Sequence, residues 1–155
     1  AHMAVGVDFV LLETFIAIEE LEAAVQAARQ AAPDLPLAAT MSFDRGDRTS
    51  FGVDGETAAT RLVELGCDIV GGNCAYGDGL VTALAAMRGA VRVPLLCQPN
   101  AGLPQLVDEQ TVFPAGPGEF GEFAARLRDE GVTLFGGCCG TTPAHIEAVA
   151  KAVKS

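Results

Sequence analysis

Two cysteines stand side by side in GGCCGTTP (136–143), fenced by glycines at the end of an apolar run. A third, Cys74, closes GGNC (71–74), which also follows an apolar run. Neighbouring residues of an ideal strand point to opposite faces. For Cys138 and Cys139 to reach one ion the backbone must bend at the strand end, and the flanking glycines supply that freedom. Three cysteines drawn from two strand ends can then converge on one metal. Zinc accepts thiolates tetrahedrally; structural sites close all four positions, whereas catalytic sites keep one open. No convincing fourth ligand accompanies the three. Cys67 opens its strand and belongs to the opposite end of a parallel sheet, while Cys97 lies inside an apolar run. His145 reads as an ordinary helix residue, and His2 belongs to an Ala1-His2-Met3 segment that reads as a cloning remnant.

Zinc held by three thiolates carries one excess negative charge, and an incoming thiol loses its proton on coordination. Electron density stays on sulfur, so the guest remains a nucleophile at neutral pH, where a free thiol is mostly protonated. The chemistry this favours is attack of a thiolate on an electrophilic carbon such as a methyl group. Zinc hydrolases differ, activating water among other ligands. Two plainer readings stay open on the residues alone. Buried cysteines can simply fill space, as expected for Cys67 and Cys97, and a vicinal Cys138–Cys139 disulfide is conceivable at the expense of strain.

The elements that must position these thiols follow from a recurring pattern: an apolar run, a polar or glycine-rich turn, then an amphipathic stretch. Strands are predicted over 8–13, 36–43, 68–74, 93–98 and 132–138, and helices over 18–32, 55–65, 79–87, 119–130 and 143–153. In the fourth helix Phe120, Phe123, Ala124 and Leu127 fall on one face. Thr142-Pro143 forms a helix start, and Gly66 and Gly131 suit the position just past a helix end. One β-α unit about every 30 residues is the spacing of a parallel sheet wrapped by helices. Glu13, Ser42, Asn73, Cys74, Asn100, Cys138 and Cys139 all fall at or just past predicted strand C-termini. In a (β/α)8 barrel those ends ring one mouth, where active sites sit. A complete barrel takes about 250 residues and eight units, whereas five are counted here. The expected fold class is therefore α/β, with parallel (β/α) units of TIM-barrel type in a partial barrel of about five strands. Residues 4–155 are read as one domain. Two long loops, 44–55 and 100–118, fall on the same face, where they either bind or cover a ligand or are plain surface connections.

Composition narrows the partners. Half of the residues are apolar and 19% are charged, which marks a folded chain. No apolar run approaches the length needed to cross a bilayer, and no leader pattern is read. A formal charge of −10 disfavours nucleic acid and anionic membranes alike. Five cysteines without even spacing argue against a secreted disulfide framework and for a reducing, cytoplasmic setting.

DFVLLETF (8–15), GGNC, QPNAG (98–102) and FGGCCGTTPAHI (135–146), in that order, resemble the homocysteine S-methyltransferase domain, above all the homocysteine-binding module of cobalamin-dependent methionine synthases. The resemblance runs from about Gly6 to the C-terminal end. It implies a zinc-bearing (β/α)8 barrel in which Cys74, Cys138 and Cys139 are the zinc ligands and homocysteine sulfur takes the open position, giving methionine. It assigns substrate-binding roles to Glu13, which would hold the homocysteine amino group, to Asn73 beside the first ligand, and to Asn100 at the mouth. Away from the family pattern, Glu13 reads as a helix-start acid and Asn100 as a turn residue. The implied cofactor is Zn2+, with methylcobalamin on a separate module as the first choice of methyl donor. S-adenosylmethionine, S-methylmethionine and betaine are the alternatives. The five units correspond to the last five of the family's eight, so the expectation includes open sheet edges, possible homo-oligomers through them, and a competing reading as a non-catalytic half-barrel that at most binds zinc.

Overall fold

A computed structural model describes residues 6–154; the Ala1-His2-Met3 reading lies outside them. Five parallel strands form one sheet: β1 (Val10–Phe15), β2 (Leu37–Met41), β3 (Ile69–Asn73), β4 (Leu95–Gln98) and, after a hairpin, β7 (Leu134–Phe135). The sheet order is β1-β2-β3-β4-β7, so sequential strands are neighbours and β1 and β7 are its two edges. The helices are α1 (Ile18–Ala31), α2 (Gly55–Glu64), α3 (Asp78–Ala90), α4 (Pro117–Asp129) and α5 (Pro143–Ala152). This is the expected partial barrel of parallel β/α units: five strands, not closed on themselves.

Alternation along the strands explains where the core lies. Leu37, Ala39 and Met41 of β2, Val70 of β3, and Leu95 and Cys97 of β4 pack with Leu21 and Val25 of α1, Leu62 of α2 and Leu84 of α3. The intervening residues, Thr40 among them, face the other side. Burying such an aliphatic side chain is worth about 1.5–3 kcal/mol, and this cluster holds the strands in one frame. Gly71 allows β3 and β4 to approach: a Cβ there would lie 1.8 Å from the Leu96 carbonyl oxygen.

The helix ends follow their local chemistry. Asp54 caps α2, its carboxylate accepting the Thr57 N–H at 2.8 Å; that bond, with Arg48 nearby, holds the Asp54 carboxyl below the usual carboxylate range. Gly66 and Gly131 follow α2 and α4 in the left-handed conformation, at φ 90° and 91°, as expected of residues beyond a helix end. Pro117 stands in the first turn of α4, two residues ahead of the predicted start.

Two expectations are corrected. The last strand was expected over 132–138 but is only two residues long. Its backbone keeps following β4, since Gly136 N–H donates to Cys97 O and Cys138 N–H to Pro99 O, both at 2.9 Å. The glycines nonetheless release it from ladder geometry before the cysteines. The 100–118 loop contains a small antiparallel hairpin, β5 (Gln105–Val107) and β6 (Gln110–Val112). Its turn residues Asp108 and Glu109 both have positive φ, a conformation usually signalled by Asn-Gly or Asp-Gly and so hidden in this sequence.

Candidate metal centre

Cys74 follows the last residue of β3, and its backbone is left-handed, φ 55°. That conformation costs a non-glycine residue about 1–2 kcal/mol. It is held by the Cys74 N–H donating to Gln98 O at 3.1 Å and by the Ser42 hydroxyl donating to Cys74 O at 3.3 Å. Cys138 and Cys139 enter a tight turn in which Cys138 O accepts the Thr141 N–H at 3.3 Å and the Thr141 hydroxyl at 2.7 Å. Gly140 sits third in that turn at φ 77°, as a type II turn requires. Because the cysteines have left the strand, its alternation no longer sends their side chains to opposite faces.

The three sulfurs converge. Cys74 Sγ and Cys138 Sγ each lie 3.9 Å from Cys139 Sγ, and all three are within 4.8 Å of one another. Sulfurs bound at about 2.3 Å to a tetrahedral zinc would stand about 3.8 Å apart, so the donor set and its spacing fit that ion. Cys74 and Cys138 are half-buried and Cys139 is exposed, which leaves the cluster approachable from solvent. Burial, reinforced by the neighbouring Cys138 and Cys139, pushes the Cys74 thiol up to about 12. Burial also raises Cys138. Both are therefore protonated at neutral pH in the absence of metal. Among the described residues no other group of three or more His, Cys, Asp or Glu side chains has metal-ligand spacing.

The remaining cysteines take no part. Cys97 is fully buried in β4 and Cys67 lies before β3; burial raises the Cys67 thiol to about 11. Both fill space, as expected. His145 is also accounted for: its Nδ1 accepts the Thr142 N–H at 3.2 Å and its Nε2 lies 2.9 Å from the Ala115 carbonyl oxygen, so the ring closes the start of α5.

Asn100 is buried, and its Oδ1 accepts the Cys139 N–H at 3.1 Å; the Cys139 carbonyl in turn accepts the Ala101 N–H at 2.9 Å. Asn100 thus holds the vicinal pair in place from the β4 side. Asn73 is completely buried, its side chain committed to Thr14 and Thr40. Glu13 is exposed at the end of β1, with no ion pair or hydrogen bond from its carboxylate among the described residues. A cleft of about 450 Å³ opens beside Cys74, lined by Phe43, Asp44, Tyr76, Asn100 and Leu103 among others. Of these, Asn100 alone was singled out from sequence. Thr14 and Thr40 carried no local signal, since a threonine in an apolar strand announces only β propensity.

Fold and site together define a parallel β/α chain with a three-thiol cluster of metal-ligand spacing at the C-terminal ends of its strands. The homocysteine S-methyltransferase family model matches residues 1–153. The methionine synthase of Mycobacterium tuberculosis is 36% identical over 154 residues, covering 96% of this chain and 13% of that protein. Betaine–homocysteine S-methyltransferase 1 of Danio rerio is 34% identical over 165 residues, covering 94% of this chain and 40% of that protein. The chain therefore belongs to the homocysteine S-methyltransferase family, and it spans less than half the length of these relatives. The crystal structure of the metallated form of the homocysteine methyltransferase MmuM from Escherichia coli superposes with a TM-score of 0.74 at 26% identity, over 99% of this chain and 47% of that one.

Proposed function

We propose that this chain supplies the zinc and homocysteine site of a methyltransferase that makes methionine, as part of a methionine synthase. Cys74, Cys138 and Cys139 are the zinc ligands in this reading. The observation that carries it is the meeting of three sulfurs from two separate strand ends within 4.8 Å. Family membership supplies the substrate. Bound zinc supplies a Lewis acid that keeps the homocysteine sulfur ionised and nucleophilic near pH 7.

The chain's own residues do the rest. Glu13 pairs with the homocysteine ammonium in a charge-assisted hydrogen bond. Asn100 fixes the Cys139 backbone and shapes the mouth. The substrate thiol proton leaves to solvent, a carbon–sulfur bond forms to the methyl group, and the bond to the donor breaks with its electron pair leaving on the donor. Alignment of thiolate and methyl for in-line attack is the larger part of the catalysis. The donor is methylcobalamin presented by a separate module, in keeping with the methionine synthase relatives; a small methyl donor such as betaine or S-methylmethionine is the alternative. A reducing cytoplasm suits three free thiols. Among the described residues no helix is long and apolar enough to cross a membrane.

One observation favours a second reading. The sheet is open at β1 and β7, so the isolated chain can be a folding unit that binds zinc without turning over. Two assays separate the readings. Zinc content of one ion per chain, lost on Cys138→Ser, is expected under both; transfer of a methyl group to homocysteine is expected only under the first. Absence of bound zinc in the wild-type chain would overturn the first and leave a folding unit without metal.

A further inference from the structure

Glu13 and Cys74 lie on different strands with β2 between them, yet one side chain reaches both strand ends. Asn73 Oδ1 accepts the Thr14 backbone N–H at 3.0 Å and the Thr40 hydroxyl at 2.9 Å. Its Nδ2 donates to Thr14 Oγ1 at 2.6 Å. The backbone N–H can only donate, which fixes the orientation of the amide. Asn73 therefore joins the ends of β1, β2 and β3 while fully buried.

What it holds at the β1 end is irregular. Leu12 pairs with Ala39 and Phe15 with Met41, so Glu13 and Thr14 together oppose the single residue Thr40. This is a β-bulge, a device that redirects a side chain at a sheet edge. Thr14 has φ 67°, a conformation that is an outlier for a β-branched residue. Such strain persists only where surroundings over-determine it, and two of the bonds that do so come from Asn73. At its own end Asn73 leads directly into Cys74, which is left-handed as well. β1 and β3 are separated by two strand spacings, about 10 Å.

We propose that Asn73 is a positioning residue that sets the Glu13 carboxylate relative to the Cys74 sulfur, and so makes the site select thiols bearing an α-amino group over the same thiols without one. The inference rests on the homocysteine reading above and deepens it. Asn73 touches no substrate; it acts through the Thr14 bulge. Loss of its clamp frees Glu13 to wander, which weakens the hold on the ammonium and leaves the hold on sulfur largely intact.

The test compares L-homocysteine with 4-mercaptobutyrate, which has the same thiol and carboxylate but no amino group. Binding to zinc-loaded protein is measured by calorimetry for wild type, Asn73→Ala, Asn73→Asp and Thr14→Val. Asn73→Asp keeps both acceptor contacts and lets the Thr14 hydroxyl donate where it had accepted, so it is the conservative variant expected to retain the clamp. Thr14→Val removes the partner of the Asn73 Nδ2 donor at an exposed position, so it reads out the clamp even if the alanine variant fails to fold. Wild type and Asn73→Asp are expected to prefer homocysteine, and Asn73→Ala and Thr14→Val to lose about tenfold of that preference, the scale typical of groups that orient a ligand-binding residue. Affinity for 4-mercaptobutyrate changes far less. A preference kept intact in Thr14→Val, and in Asn73→Ala where it folds, overturns the role of Asn73 alone. A wild-type protein that binds both thiols equally overturns the Glu13 assignment and this inference with it.

Discussion

Three sulfurs held within 4.8 Å are costly to keep ionised without a cation among them, and burial, with a smaller contribution from the neighbouring sulfurs, raises the Cys74 thiol to about 12. The consequence for pH follows by sign. Thiols with raised values carry protons at neutral pH, and a metal must displace them, so affinity rises as pH rises and falls as it drops. With at least Cys74 and Cys138 giving up protons, zinc affinity between pH 6 and 8 is expected to change by about a hundredfold per pH unit, measurable by competition with a chelating dye. Asn100 offers a second residue-scale prediction. Asn100→Ala removes the acceptor for the Cys139 N–H and leaves that donor unpaired. Zinc affinity is expected to drop about tenfold or more with Cys74 unchanged, as read by the same competition. An unchanged affinity would show that the turn around Gly140 suffices to hold the vicinal pair. The convergence of these thiols was legible from residue type and position, because three cysteines closed two predicted strands at the same end of a parallel sheet. The network behind them was not. Asn73 stood out only as the neighbour of Cys74, and nothing in the sequence showed that its amide crosses β2 to reach Thr14.

At the scale of elements, the β/α rhythm was readable because each helix carries its apolar residues at helical spacing and each buried strand is a short apolar run. The failures have specific causes. The two-residue β7 was overextended because Gly136 to Cys138 keep apolar character while glycine freedom releases the ladder. The β5–β6 hairpin was missed because its strands are three residues long, fully exposed, and joined by an Asp-Glu turn without glycine. The strand N-termini, opposite the site, serve stability. Arg29 of α1 donates to Leu35 O at 2.8 Å and to Asp68 at 2.6 Å, while the Leu37 N–H donates to the same Asp68 carboxylate at 2.9 Å. Cys67 lies within this region, its thiol raised by burial from 9.0 to about 11. A group whose folded value exceeds its unfolded one contributes stability that is whole below the unfolded value and is lost as pH rises through the folded one. In metal-free protein Cys67 is therefore expected to contribute a loss on the order of 2 kcal/mol between about pH 9 and 11, on top of that from the other raised thiols, seen as a falling urea midpoint. Cys67→Ala should flatten that decline while lowering stability at pH 7 through the space it leaves.

At the scale of the whole molecule, the described residues leave both edges of the parallel sheet unpaired, and unpaired strand edges invite pairing with another chain. Leu134 on the β7 edge is 39% exposed, and Phe9, just before the β1 edge, is 51% exposed. If copies join through these edges, the mass measured by light scattering rises with concentration, and Leu134→Lys lowers it toward the monomer. A concentration-independent monomer would show that the edges stay solvated. This matters for function because the C-terminal strand ends carry the thiols, Asn100 and Glu13 along one rim. Anything added at either edge extends that rim. Full turnover by a verified monomer would show that the rim is sufficient as it stands.

The central claim is that Cys74, Cys138 and Cys139 bind one zinc ion with a position left for a thiol. X-ray absorption at the zinc edge tests it most directly, on wild-type protein before and after addition of L-homocysteine. The account predicts three sulfur neighbours at about 2.3 Å and one lighter atom, changing to four sulfurs when homocysteine is present. A shell dominated by nitrogen or oxygen, or a sulfur count that homocysteine leaves unchanged, would contradict it.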